Sequence, residues 1–188
     1  INRTRRNHVI TLEDPIEFLH RDHNSSITQR EIGTDTDSFA TGLRAALRED
    51  PDVVQVGEMR DTETIDIALK AAETGHLVLS TLHTQNAVQT ISRVVAVFPP
   101  EEQEMARIRL AESLVAVVSQ RLLPRKSGDG RVAACEVLIA TGTIRECILD
   151  PDRTSEIFEL VEEGRETDGS KSFDQHLMDL VADDVIEY

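Results

Sequence analysis

The stretch Asp52-Val-Val-Gln-Val-Gly-Glu-Met-Arg-Asp61 decides the reading of this chain. Val53 to Val56 read as a short buried strand, and Gly57 and Glu58 then set one carboxylate just past its carboxyl end. That is the end at which open α/β sheets bind ligands. A second acidic group, Glu13-Asp14-Pro15-Ile16-Glu17, follows the apolar run His8-Val-Ile-Thr-Leu12, and His76 and His83 flank a third apolar run, Leu77-Val-Leu-Ser-Thr-Leu82. Carboxylates and imidazoles gathered at strand ends point to phosphate and metal chemistry.

Outward from that strand the order repeats. Ser25 to Arg30 alternates as a weaker strand, and Thr36 or Asp37 can cap a helix in which Phe39, Leu43, Ala46 and Leu47 share a face, stopped by Asp50-Pro51. Asp61 can cap a second helix, with Ile65, Ala68, Leu69 and Ala72 inward and Gly75 as its stop. A third helix starts at Thr84 or Asn86 and runs to Val97, broken by Phe98-Pro99-Pro100. A long helix is expected from Glu101 to about Leu122, with Met105, Ile108, Ala111, Leu114, Val115 and Val118 as its apolar stripe. Lys126-Ser-Gly-Asp-Gly130 reads as a turn and Arg131 to Ile139 as one more strand, after which Thr143–Leu149, Thr154–Glu163 and Ser172 to about Asp184 are helical. Strand, helix, strand at short spacing implies an α/β fold with a mostly parallel sheet and crossover helices. The natural division is a sheet-containing core over residues 1–140 and a helical subdomain over residues 141–188.

At 188 residues the chain suffices for one core, or for a core with a small satellite. It opens at Ile1, directly before Asn2-Arg-Thr-Arg-Arg6, which suggests a fragment of something longer. No apolar run approaches the roughly 20 residues of a membrane span, and no signal-peptide stretch is present, so a soluble, cytoplasmic protein is expected. The net charge of −15 argues against nucleic acid as a partner, because that binding is driven by clustered Lys and Arg. Ten of those fifteen charges fall between Asp150 and Tyr188, where 13 acidic residues face only Arg153, Arg165 and Lys171; this reads as a solvated helical face. Cys135 and Cys147 lie in apolar surroundings and read as reduced core thiols.

At the strand ends two readings of Glu58 stand: a carboxylate that polarises a water or holds Mg²⁺ through a water, or a surface acid pairing with Arg60. Glu13, Asp14 and Glu17 converge with Glu58 if their two strands are neighbours; an ordinary acidic turn fits the spacing too. Seven residues of strand separate His76 from His83 by roughly 23 Å, which disfavours a shared zinc ion. His83, beside Thr81 and Thr84, is the candidate to touch a phosphate; His76, at the opposite end, is structural or faces a neighbour. No Gly-x-x-x-x-Gly-Lys-Ser/Thr loop occurs. The near miss, Gly164-Arg-Glu-Thr-Asp-Gly169-Ser-Lys171-Ser172, displaces the lysine and follows an acidic helix rather than a strand, so it reads as a linker.

Taken together these residues resemble a known family. Glu13-Asp-Pro-Ile-Glu17-Phe looks like the Asp box, Val54-Gln-Val-Gly-Glu58-Met-Arg-Asp like the atypical Walker B, and Gly75-His76-Leu-Val-Leu-Ser-Thr-Leu-His83-Thr like the His box of the secretion ATPases that drive type II secretion and type IV pili. Thr28-Gln-Arg-Glu31, Ala45-Ala-Leu-Arg-Glu-Asp-Pro-Asp52, Ala71-Ala-Glu-Thr-Gly75 and Arg93-Val-Val-Ala-Val-Phe-Pro99 are most similar to the pilus retraction, PilT-like, branch. The resemblance implies a RecA-like P-loop NTPase core, ATP and Mg²⁺ at the subunit boundaries of a ring hexamer, and a mechanical output. It implies Glu58 as the catalytic glutamate, Glu13 and Glu17 as the acids near metal and water, and His83 as the sensor of the terminal phosphate. Asp14 and Thr81 would join them around the nucleotide, Glu17 and Glu58 would hold Mg²⁺ through water, and His76 and Arg93 would support the site or the subunit boundary.

The expected function is therefore ATP hydrolysis that powers pilus retraction and twitching motility. The motor would sit at the cytoplasmic face of the inner membrane, peripheral to it, against a pilus platform protein. A type II secretion or pilus extension ATPase, or a non-catalytic assembly module, are the alternatives. The absence of the cysteine pairs typical of many assembly and secretion branches favours retraction. Thr143-Ile-Arg-Glu-Cys-Ile-Leu-Asp150 keeps Ile144, Arg145 and Ile148 of the retraction motif Ala-Ile-Arg-Asn-Leu-Ile-Arg-Glu and departs from it at Leu149-Asp150. The family's Walker A loop is expected within about 30 residues upstream of Ile1, the span of a βα unit. Without it the 188 residues are expected to be inactive alone.

Overall fold

Val53, Val54 and Val56 are at most 1% exposed, and Ile10, Thr11 and Leu12 at most 2%, so both faces of these two runs are covered, as in a parallel sheet. The computed structural model describes residues 1–187. Two compact units are distinguished, Ile1–His83 and Thr84–Tyr188. The first contains β1 (His8–Glu13), β2 (Ser26–Glu31), α1 (Phe39–Ala46), β3 (Val53–Val56), α2 (Thr62–Glu73) and β4 (Leu77–Ser80). Its sheet has the order β2-β1-β3-β4 with every pair parallel.

Leu12, Val54 and Val56 pack on Ala40 and Leu43 of α1 and on Ile67 and Ala68 of α2. Full burial contributes about 1.5–3 kcal/mol per large aliphatic side chain, and a one-residue slip would turn this set to the other face of the sheet. The register is therefore firmly set, with Leu12 beside Val56 and Val56 beside Ser80. Ser38, rather than Thr36 or Asp37, caps α1 by accepting from Thr41 N–H. Asp61 caps α2 through Thr64 N–H, and Gly75, at φ +99°, reverses the chain into β4.

The second unit contains α3 (Ala87–Ala96), α4 (Gln103–Ser113), β5 (Ala116–Pro124), β6 (Arg131–Ile139), α5 (Gly142–Leu149), α6 (Ile157–Glu163) and α7 (Phe173–Ala182). The long helix expected to reach Leu122 ends at Ser113, and the chain continues as β5, antiparallel to β6. Arg145 of α5 explains the stop, donating to the carbonyls of Ala111, Glu112 and Leu114 (3.0 Å), the orphan acceptors at the end of α4. Val115, Val117 and Val118 are stiff at χ1 and suit the strand that follows. Met105, Val115 and Val118, expected in a buried stripe, are 59–64% exposed.

Because β6 pairs with β5, it is not a further strand of the parallel sheet. Lys171 bridges Val137, and Phe173 and Leu180 pack with Ala134, tying the C-terminal helices to this hairpin. The boundary between compact units falls after His83, whereas the order of strands and helices read from sequence divides the chain at about residue 140. Among the described residues no helix is long and apolar enough to cross a membrane.

Candidate active site

The pairing of β1 with β3 brings the two acidic groups together, because both strands run parallel and end on the same side. Glu13 at the end of β1, Asp14 and Glu17 from the segment after it, Glu58 from the segment after β3, and Thr81 and His83 after β4 line one cleft of about 360 Å³. That lies within the range of small-ligand sites, about 300–1,000 Å³.

Glu58 sits where backbone contacts hold it. Gly57 N–H donates to Leu12 O at 2.8 Å, Met59 N–H to Thr81 O at 3.2 Å, and Thr81 Oγ1 to Gly57 O at 2.6 Å. The glycine is required by the neighbouring strand: a Cβ at residue 57 would stand 2.9 Å from Leu12 O. The Glu58 side chain is only 13% exposed, its Oε1 paired with Arg60 and its Oε2 3.4 Å from His83 Nε2. Glu58 thus makes the expected pair with Arg60 while also lining the cleft. Arg60 and His83 are 72% and 87% exposed, so both side chains meet the more buried Glu58 carboxylate while staying accessible to an incoming anion.

Glu13 receives a hydrogen bond from Thr11 Oγ1 at 2.6 Å and is partly buried, whereas Asp14 and Glu17 are exposed. His76 lies at the other end of β4, its Nδ1 2.9 Å from Ala71 O and 3.1 Å from Thr74 Oγ1, where it completes the end of α2 and does not line the cleft. Arg93 belongs to the second unit, exposed in the last turn of α3. Phe39, Gln55 and Arg60 also line the cleft; sequence alone puts Phe39 on a helix face and Arg60 beside Glu58, and leaves Gln55 without a role. Gln55 carried a usable signal, a lone amide in the apolar run Val53–Val56.

The acids of the cleft offer oxygen donors, which suit a hard cation. Mg²⁺ takes one or two carboxylates, keeps several waters, and completes its shell with substrate phosphates. Glu17 and Glu58 fit that mode; among the described residues no cluster of three or more His, Cys, Asp or Glu forms a complete cage.

Comparison with known proteins agrees with this geometry. Residues 1–168 match the family model described as "Type II/IV secretion system protein". The chain is 50% identical over 186 residues to a "Twitching motility protein" of Neisseria gonorrhoeae, covering 99% of this chain and 49% of that one. It is also 50% identical over 186 residues to the "Type IV pilus retractation ATPase PilT" of Pseudomonas aeruginosa, covering 99% and 53%. The chain thus spans about half the length of these curated relatives. Among solved structures, "Crystal Structure of the Pilus Retraction Motor PilT and Bound ADP" superposes with a TM-score of 0.89 at 47% identity, over 99% of this chain and 52% of that one.

Proposed function

This chain belongs to the type II/IV secretion system protein family, and from that premise we propose that the protein carrying it is an ATPase motor that drives type IV pilus retraction. The observation that carries the reading is the convergence of Glu58 with Glu13, Glu17 and His83 on one cleft at the carboxyl ends of adjacent parallel strands.

In this proposal Glu58 orients and polarises the attacking water, its carboxylate held by the turn after β3 and its charge balanced by Arg60. His83, exposed and 3.4 Å from Glu58, touches the terminal phosphate and links its presence to the glutamate. Glu17, with Glu58, would hold Mg²⁺ through water, and Glu13 would stand near the metal and the attacking water. Mg²⁺, when bound, neutralises charge developing on the phosphate oxygens. The chain's contribution is positioning and charge placement, which is most of what phosphoryl transfer asks of a protein. A homo-hexameric ring, a platform protein of the pilus machinery as partner, and a place at the cytoplasmic face of the inner membrane belong to the same proposal. The two relatives' names, a twitching motility protein and a pilus retraction ATPase, support the retraction output and ATP as the substrate.

Glu58→Gln in the full-length protein tests it. Turnover is expected to fall by about 10²–10⁴-fold, the usual contribution of a positioned acid or base, with nucleotide affinity changed little. Turnover within twofold of wild type would remove Glu58 from the chemistry. Restoring twitching to a strain without its retraction motor distinguishes retraction from extension or secretion.

A further inference from the structure

Gln29 of β2 makes three hydrogen bonds that converge on the acidic side of the cleft. Its Nε2 donates to Glu13 Oε1 at 3.0 Å and to Phe18 O at 2.9 Å, while its Oε1 accepts from His20 N–H at 2.7 Å. The amide orientation follows from the partners, since one end meets a carboxylate and a carbonyl, which only accept, and the other meets an N–H. Two residues along β2, on the same face of the strand, Glu31 Oε2 accepts from Ile16 N–H at 3.1 Å. The loop that carries Asp14 and Glu17 is thus hung from two alternate side chains of the neighbouring strand.

We propose that Gln29 is a positioning residue of the site, a clasp whose single carboxamide orients the Glu13 carboxylate and fastens the loop bearing Glu17. The two backbone bonds alone would serve a purely structural clasp. The third bond goes to a carboxylate that lines the cleft and leaves Gln29 outside it. Thr11 Oγ1 and Gln29 Nε2 both land on Glu13 Oε1, so the acid is held in one orientation by two neutral donors. The parallel register makes this possible: Gln29 stands beside Thr11, two residues before Glu13, so the long amide reaches forward along the sheet to the strand end. Exposed Phe18 and Leu19, 77% and 85% accessible, are consistent with a loop kept in shape by this clasp rather than by burial of its own apolar side chains.

The inference rests on the proposed role of Glu13, and the experiment separates the two. In the full-length protein, Gln29→Glu keeps the shape and the acceptor for His20 but loses both donors and sets a second carboxylate against Glu13. ATP turnover per bound nucleotide is expected to fall at least tenfold, with the KM for ATP within threefold of wild type. Gln29→Met, which removes both donors without adding charge, is expected to lower turnover by less, again with KM little changed. Counting turnover per bound nucleotide discounts any misfolded fraction, so per-site turnover within twofold of wild type in both variants overturns the clasp. Wild-type turnover in Glu13→Gln would instead overturn the reading of Glu13, whatever Gln29 does.

Discussion

Replacing Gly57 by alanine tests whether the glycine sets the approach of the two acid-bearing strands. A Cβ there would meet Leu12 O at 2.9 Å, the Phe39 ring at 3.4 Å and Glu13 Cα at 3.5 Å. Two of these three atoms are backbone of the segment that presents Glu13, so no side-chain rotation relieves the contact and the strand ends must part. Overpacking of this kind costs about 1–3 kcal/mol. Gly57 is not among the glycines with positive φ, so alanine also returns about 0.4–1 kcal/mol by restricting the unfolded chain. The net loss is then up to about 2.6 kcal/mol, which for a domain of this size lowers the melting temperature by up to roughly 10 °C. Because the strain falls between Glu13 and Glu58, turnover should fall as well. Two other glycines calibrate the measurement in the same thermal melts of the full-length protein. At Gly142 a Cβ meets nothing within 4 Å, so Gly142→Ala should be neutral or stabilising by up to about 1 kcal/mol. Gly75 is equally open but at φ +99°, so alanine there should cost about 1–2 kcal/mol through backbone strain and leave turnover unchanged. If Gly57→Ala melts no lower than Gly142→Ala, the close approach of β1 is not what requires glycine at this position.

Two further expectations concern the second unit. Glu136 is 4% exposed, and its Oε1 accepts from Ala87 N–H at 2.6 Å, at the start of α3, and from Ser119 Oγ at 3.2 Å. Glu136→Leu should cost about 1–3 kcal/mol by stranding the amide, whereas Glu136→Gln, still an acceptor, should cost less; equal melting temperatures for the two would refute the assignment. Burial pushes the Cys147 thiol up from its ordinary range, with smaller contributions from Glu156 and Glu146 and an opposing one from Arg153, so little of it is thiolate at pH 8. Alkylation mapped by mass spectrometry should modify half-buried Cys135 first and Cys147 only after unfolding; the reverse order would contradict this.

Local signals carried the first unit well. Asp61 and Gly75 bound a helix by side-chain and backbone chemistry that acts within a few residues, and β1, β3 and β4 are short apolar runs closed by Pro15, Gly57 and polar residues. The candidate acids were legible because a strand end is a place, and residue type at a strand end can be read without knowing the fold. Their convergence was not legible. It depends on β1 lying between β2 and β3, a fact of sheet order on which no single segment bears. Gln29 escaped for the same reason, since its partners are 9, 11 and 16 residues away, at the end of β1 and in the loop that follows it. In β5 the local pattern pointed the wrong way. Met105 to Val118 is helical in period, and only Arg145, 31 to 34 residues downstream, together with pairing to β6, makes the strand the better use of those valines.

The segment Thr143 to Asp150 now divides into two kinds of position. Ile144, Cys147 and Ile148 are at most 3% exposed, and Arg145 is committed to the carbonyls that end α4. Arg107 of α4 answers it, donating to Ile148 O at 3.0 Å near the end of α5, so the two helices cap each other. The residues this chain shares with the retraction motif are therefore the ones its own folding requires, and any motor using the same pair of helices would need them whatever it drives. Of the departures, Cys147 stays in the buried set where the motif has leucine, whereas Leu149 is 46% exposed and Asp150 turns its carboxylate to Asp152 N–H to start the next helical turn. Residues that face outward or begin a new element are free to differ with the partner. It follows that Ile144, Arg145 and Ile148 are evidence for this helix pair, and that Leu149 and Asp150 are where a retraction output would be distinguished from another use of the same motor.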